Sequence, residues 1–158
     1  MKTITRLLQV VGISLFFAAS ATAAEPINTL EKAFWGYKPS GIAVRGYDTV
    51  AYFTQGKPIE GKEAFETEWN GAKWRFSSKE HLDLFVTNPE KYAPQYGGYC
   101  AYGVAVGNLV KIEPDLWDIV EGKLYLNFDE ELQGKWRKDI PGFIKTADNK
   151  FDKLLAEE

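Results

Sequence analysis

The sequence predicts a small single α+β domain built from β-hairpins with flanking helices. Three stretches carry that expectation. "FETEWNGAKWRF" (65–76) alternates aromatic residues around Asn70-Gly71, the pair that a two-residue type I′ turn favours. Behind it, "SSKEHLDLFVTNPEKYAP" (77–94) changes period: Leu82, Phe85 and Val86 recur at helical spacing. "LWDIVEGKLYLNF" (116–128) then repeats the hairpin pattern around Glu121-Gly122.

The elements follow in order. Residues 1–23 read as a signal peptide. Lys2 and Arg6 form a basic start, Leu7 to Ala19 an apolar run, and Ala21-Thr22-Ala23 an A-x-A cleavage signal. That run is short of the roughly 20 residues a membrane span needs. The mature chain is expected to begin at Ala24 or Glu25 and to be periplasmic or secreted, with no membrane partner. Residues 24–40 form a lead-in of weak pattern, whose Phe34, Trp35 and Tyr37 suggest docking on the body. From Gly41, an apolar strand-like piece breaks at Gly46. Asp48 then caps a helical turn carrying Val50, Ala51 and Phe53.

After the first hairpin, Ser77 and Glu80 read as an S-x-x-E capping box for a helix over 77–87, which Asn88-Pro89 ends. Downstream of the second hairpin, Asp129 caps a helix over 129–140 that stops before Pro141. A final amphipathic helix spans 143–155, with Phe143, Ala147, Phe151 and Leu154 on one side. Residues 41–158 are therefore read as one domain with a helical C-terminal extension.

Composition narrows the function. Removing the leader leaves 135 of 158 residues and takes the net charge from −3 to −5, because Lys2 and Arg6 go with it. An acidic chain without a basic face is a poor reader of nucleic acid. Met1 is the only methionine, so the mature chain holds one soft ligand, Cys100, and one borderline ligand, His81.

At residues 46–107 the chain resembles the YHS domain. The motifs are the hairpin with its Asn-Gly turn, the "FSS" step into a helix, "FVTNPEKY" and "GGYCAYG". More narrowly it resembles the exported bacterial single-domain branch, and "DLWDIVEGKLYLNFDEELQGKWRKDIPGFIKTAD" is similar to that branch's C-terminal extension. The resemblance implies a core related to treble-clef-like heavy-metal domains. In metal-binding relatives, ligand cysteines occupy a D-P-V-C segment, an F-C-S step and a position early in the following helix. The matching positions here are Ala51, Ser77 and His81. Two of those positions have thus lost their ligand and the third holds the only histidine, so this chain alone cannot complete a four-ligand zinc site.

Cys100 sits among Tyr96, Tyr99 and Tyr102 behind Gly97-Gly98. Three readings stay open for it: a small buried hydrophobe, an intermolecular disulfide that would make a homodimer, or a functional thiol. On the functional reading, the helix 77–87 is expected to point His81 toward the loop carrying Cys100, with Asp48 beside it. Those three would hold a transition metal, copper before others, since thiolate and imidazole suit it. Tyr52, Tyr99 and Tyr102 are expected to line a pocket. The alternative is a non-catalytic accessory or interaction module with an aromatic pocket and no metal. An enzyme is the weakest reading, because no oxyanion motif, phosphate loop or second cysteine is present.

Overall fold

The structure is a computed structural model, and it describes residues 24–33 and 36–157. The leader 1–23 and the aromatics Phe34 and Trp35 lie outside the described residues. Among the described residues, three antiparallel hairpins are joined and packed together by short helices. β1 (Leu30–Ala33) pairs with β2 (Gly36–Pro39), β3 (Lys62–Trp69) with β4 (Ala72–Phe76), and β5 (Glu113–Val120) with β6 (Lys123–Asn127). The two sequence-predicted turns fall as expected, with Trp69 opposite Ala72 and Val120 opposite Lys123. Asn70 and Glu121 each take a positive φ at the turn's first position, and a glycine takes the second.

β6 divides the interior. Leu124 and Leu126 face a core with Val50, Tyr52, Trp74, Phe76, Phe85 and Cys100. Tyr125 faces a second core with Tyr96, Val104, Trp136 and Ala147. This follows from the strand period of two, which sends alternate side chains to opposite faces. Fully burying a large apolar side chain stabilises by about 1.5–3 kcal/mol, so a strand buried on both faces is the natural spine of a chain this size.

Several boundaries differ from those expected. The piece after Gly41 is not a strand: Ile42 makes one isolated bridge to Lys73, and Ala43–Gly46 turn sharply with Val44 and Arg45 at positive φ. The helix α1 (Thr49–Thr54) does carry the predicted Asp48 cap. Helix α2 (Lys79–Thr87) starts later than predicted. Its N-cap is Ser78, whose hydroxyl accepts from the His81 amide, so Ser77 is not the capping residue. Asn88 ends α2 and caps a further turn, α3 (Pro89–Tyr92).

Beyond the Gln95–Gly98 turn lies α4 (Ala101–Val106). The helix expected over 129–140 ends early, as α5 (Glu130–Trp136), because Asp139 caps a new helix with Pro141 in its first turn. The expected final helix is two, α6 (Ile140–Asp148) and α7 (Phe151–Glu157). Phe143, Ala147, Phe151 and Leu154 still share one side, against the second core.

Candidate functional site

Asp48 is the centre of the most connected polar group in the interior. It is 0% exposed, and its carboxylate accepts from five donors. Oδ1 takes the backbone amides of Val50 (3.0 Å) and Ala51 (3.2 Å), which opens α1. Oδ2 takes the Ser77 amide (2.8 Å), the Ser77 hydroxyl (2.6 Å) and His81 Nδ1 (2.6 Å). One carboxylate therefore ties α1, the end of β4 and α2 together. Local order explains why these residues meet. The cap holds Asp48 at the base of α1, and His81 sits one turn into α2, directly after the strand that brings Ser77 in.

A carboxylate can only accept, so His81 Nδ1 carries a proton and donates it to Asp48. The other ring nitrogen, Nε2, lies 3.2 Å from the Thr54 hydroxyl, which also reaches the Val50 carbonyl at 3.1 Å. Asp48, His81 and Thr54 thus form a file with the order of a hydrolase relay. Its setting opposes such chemistry. Thr54 is in the last turn of α1, where the helix dipole presents its negative end and would destabilise a developing oxyanion.

Cys100 has a different set of neighbours. It is 0% exposed and forms the N-cap of α4, its sulfur accepting from the Gly103 amide at 3.4 Å. The thiol donates to Asn127 Oδ1 at 3.5 Å, an oxygen that also accepts from the Tyr102 amide. Burial pushes the thiol above its ordinary range, partly offset by the amides of Gly103, Phe128 and Tyr102. A buried thiol of raised pKa is neither a ready nucleophile nor a ready ligand, both of which need thiolate.

The structure brings Asp48 and His81 together and surrounds Cys100 with other partners. Among the described residues no three His, Cys, Asp or Glu side chains are grouped so as to hold a metal ion. As folded, the donor set does not fit a transition metal. Asp48 is saturated, His81 offers one nitrogen facing a hydroxyl, and the Cys100 sulfur is committed within the core.

The tyrosines separate too. Tyr52 is 1% exposed and donates to the Pro114 carbonyl. Tyr102 packs edge-on against Phe143. Tyr99 donates to the Glu25 carbonyl and lines a cavity of about 170 Å³ beside the lead-in. The larger concavities are elsewhere. One of about 610 Å³ lies along α2 and α3, with Leu84 and Tyr92 in its lining and Lys79, Asp83 and Lys91 among its charged groups.

Sequence reasoning missed Ser77 and Asn127 as polar partners of these groups. Ser77 did carry a signal, since it occupies a position where the resemblance places a ligand. Asn127, the polar end of a strand reading "KLYLN", carried none.

The hairpins, the polar knot under α1 and the helix behind it define a small α+β domain with no metal-holding cluster among the described residues. The comparison with known families then gives the class its name. The YHS domain family model matches residues 50–96, and the chain carries a YHS domain there. That span holds Ser77 and His81 and leaves Asp48 and Cys100 just outside. The family is associated with metal binding. No curated protein and no solved structure matches the chain.

Proposed function

We propose that this is an exported YHS-domain protein acting as a non-catalytic accessory module, in which the positions corresponding to metal ligands in relatives serve the fold. The observation that carries this reading is the saturation of Asp48. Its five donors include both side chains, Ser77 and His81, that stand where relatives hold thiolates. A hydrogen-bonded knot replaces a metal as the tie between the hairpin and the two helices. The groove along α2 and α3, of about 610 Å³, offers a surface for a partner or small ligand. Export rests on the A-x-A signal, and mass spectrometry of the native protein tests it by finding Ala24 or Glu25 at the N-terminus.

A second reading is kept by one observation. The Asp48–His81 bond holds the ring through Nδ1 and leaves Nε2 on its far side, an arrangement used to orient histidine toward metals. Copper would then need further donors from outside this chain, a second copy included. Anaerobic Cu(I) titration against a competing chelator separates the readings, using wild type, Cys100→Ser and His81→Ala. The accessory module predicts equal, background binding in all three. Stoichiometric binding by wild type that is lost in His81→Ala establishes the copper reading instead.

A further inference from the structure

The glycine pair in front of Cys100 has a use that neither metal nor thiol chemistry explains. Gly97 has a φ of +60°, and a Cβ there would fall 1.9 Å from the carbonyl oxygen of Pro26. The first described residues run through the space that a side chain would fill. They are also bonded in place. The Asn28 amide donates to the Gly97 carbonyl at 2.8 Å, and Asn28 Nδ2 donates to the Gly98 carbonyl at 2.9 Å. Asn28 Oδ1 accepts from the Leu30 amide, and the Tyr99 hydroxyl donates to the Glu25 carbonyl at 3.0 Å. Ile27, Asn28 and Thr29 are all buried. Residues 24–29 are thus a strap laid across the loop that leads to Cys100.

The outer end of the strap reaches α7. The Ala24 nitrogen lies 3.2 Å from the Leu155 carbonyl. That carbonyl belongs to the last turn of a helix ending at Glu157, so it has no partner four residues on within the helix. Helix C-termini carry partial negative charge and favour a cation.

We propose that leader removal builds a latch, the new amino terminus of Ala24 closing on the C-terminal turn of α7 and holding the strap in the Gly97-Gly98 groove. Hydrolysis of the Ala23–Ala24 bond adds one water. The carboxylate leaves with the leader, and the released nitrogen takes a proton to become an α-ammonium. A neutral amide donor at Leu155 is thereby replaced by a charged donor, which bonds the carbonyl more strongly. This rests on the reading that cleavage falls after Ala23. It adds that the cut completes the fold besides releasing the chain.

Thermal unfolding of the full chain and of the chain trimmed to Ala24 tests it. Trimming is expected to raise Tm by about 2–4 °C, the size a terminal charge at a helix end gives in a domain of this length. Gly97→Ala, which blocks the strap, is expected to lower Tm in both chains and to erase the gain from trimming. Asn28→Ala, which creates no clash, should do the same in milder form and serves if Gly97→Ala does not fold. No gain on trimming, or a gain that survives both substitutions, overturns the latch. If signal peptidase cuts elsewhere, the cleavage reading fails by itself, and the latch is judged on a chain released at Ala24 by an engineered protease site.

Discussion

Asp48 Oδ2 and His81 Nδ1 meet at 2.6 Å across the seam between α1 and α2, with the carboxylate fully buried and the His81 side chain 9% exposed. The same oxygen accepts from the Ser77 amide and hydroxyl. This one contact joins residues 33 apart in sequence and lets a two-stranded hairpin, marginal by itself, share a core with both helices. Its energetic weight lies in what would follow if one side were removed. A buried carboxylate or its donors, left unpaired, lose their desolvation cost without compensation.

Asp48→Asn should therefore be the more damaging of two near-isosteric changes. The amide keeps an oxygen for the α1 cap but turns an NH2 toward three donors. A cost of about 3 kcal/mol is expected. His81→Gln removes one donor of five and should cost about 1–2 kcal/mol. Urea denaturation midpoints measure both. If His81→Gln proves the costlier, the carboxylate is not the centre of the network.

Cys100 should make itself felt in alkali. Burial raises its pKa above the ordinary value of 9.0 in the folded chain. The unfolded chain then releases the proton first, so the contribution is complete below about pH 9 and is lost as pH rises through the folded value. The loss is at most about 1.4 kcal/mol per pH unit for one group. Burial acts in the same direction on Tyr47, Tyr52, Tyr96 and Tyr125. Those terms are common to wild type and Cys100→Ala, so stability plotted from pH 8 to 11 should fall less steeply in the variant. Parallel curves would mean that the thiol ionises equally in both states.

The same burial predicts a silent thiol. Cys100 is 0% exposed, so a thiol reagent should label native protein only through opening of the fold, many orders of magnitude more slowly than in denaturant. Rapid stoichiometric labelling under native conditions would place the thiol at the surface, where the intermolecular disulfide becomes available.

The hairpins and the Asp48 cap were legible because their signals are local. Asn70-Gly71 and Glu121-Gly122 need only their own backbone angles, and an aspartate before α1 needs only the next two amides. What was not legible depends on partners distant in sequence. Ser77 fits a capping box by spacing, yet Asp48 takes its hydroxyl, and the cap moves to Ser78. The first part of the lead-in, 24–29, shows no periodicity because it is held by Gly97, Gly98 and Tyr99 one residue at a time. Tyr99 and Tyr102, beside Cys100, read with Tyr52 as a pocket lining. The turn at Gln95–Gly98 and the start of α4 send Tyr96, Tyr99 and Tyr102 to separate partners, Asp148, Glu25 and Phe143, and only Tyr99 of these lines the small cavity beside the lead-in.

The two deepest tryptophans should respond differently to the same substitution. Trp74 and Trp136 are 1% and 0% exposed, so packing treats them alike. Trp74 Nε1 donates to the Trp69 carbonyl at 3.0 Å, whereas Trp136 Nε1 has no protein partner. Replacing either ring with phenylalanine removes similar volume and leaves a similar gap, worth about 1–2 kcal/mol. In Trp74→Phe a hydrogen bond is lost as well, for a total near 2–3 kcal/mol. In Trp136→Phe a buried donor without a protein acceptor is removed, which returns about 1–3 kcal/mol of desolvation. Trp136→Phe is therefore expected within about 1 kcal/mol of wild type, and Trp74→Phe well below it. Chemical denaturation followed by far-UV circular dichroism measures both without relying on tryptophan fluorescence. Equal losses would show that the Trp136 indole is satisfied in solution, by a buried water bridging it to the second core.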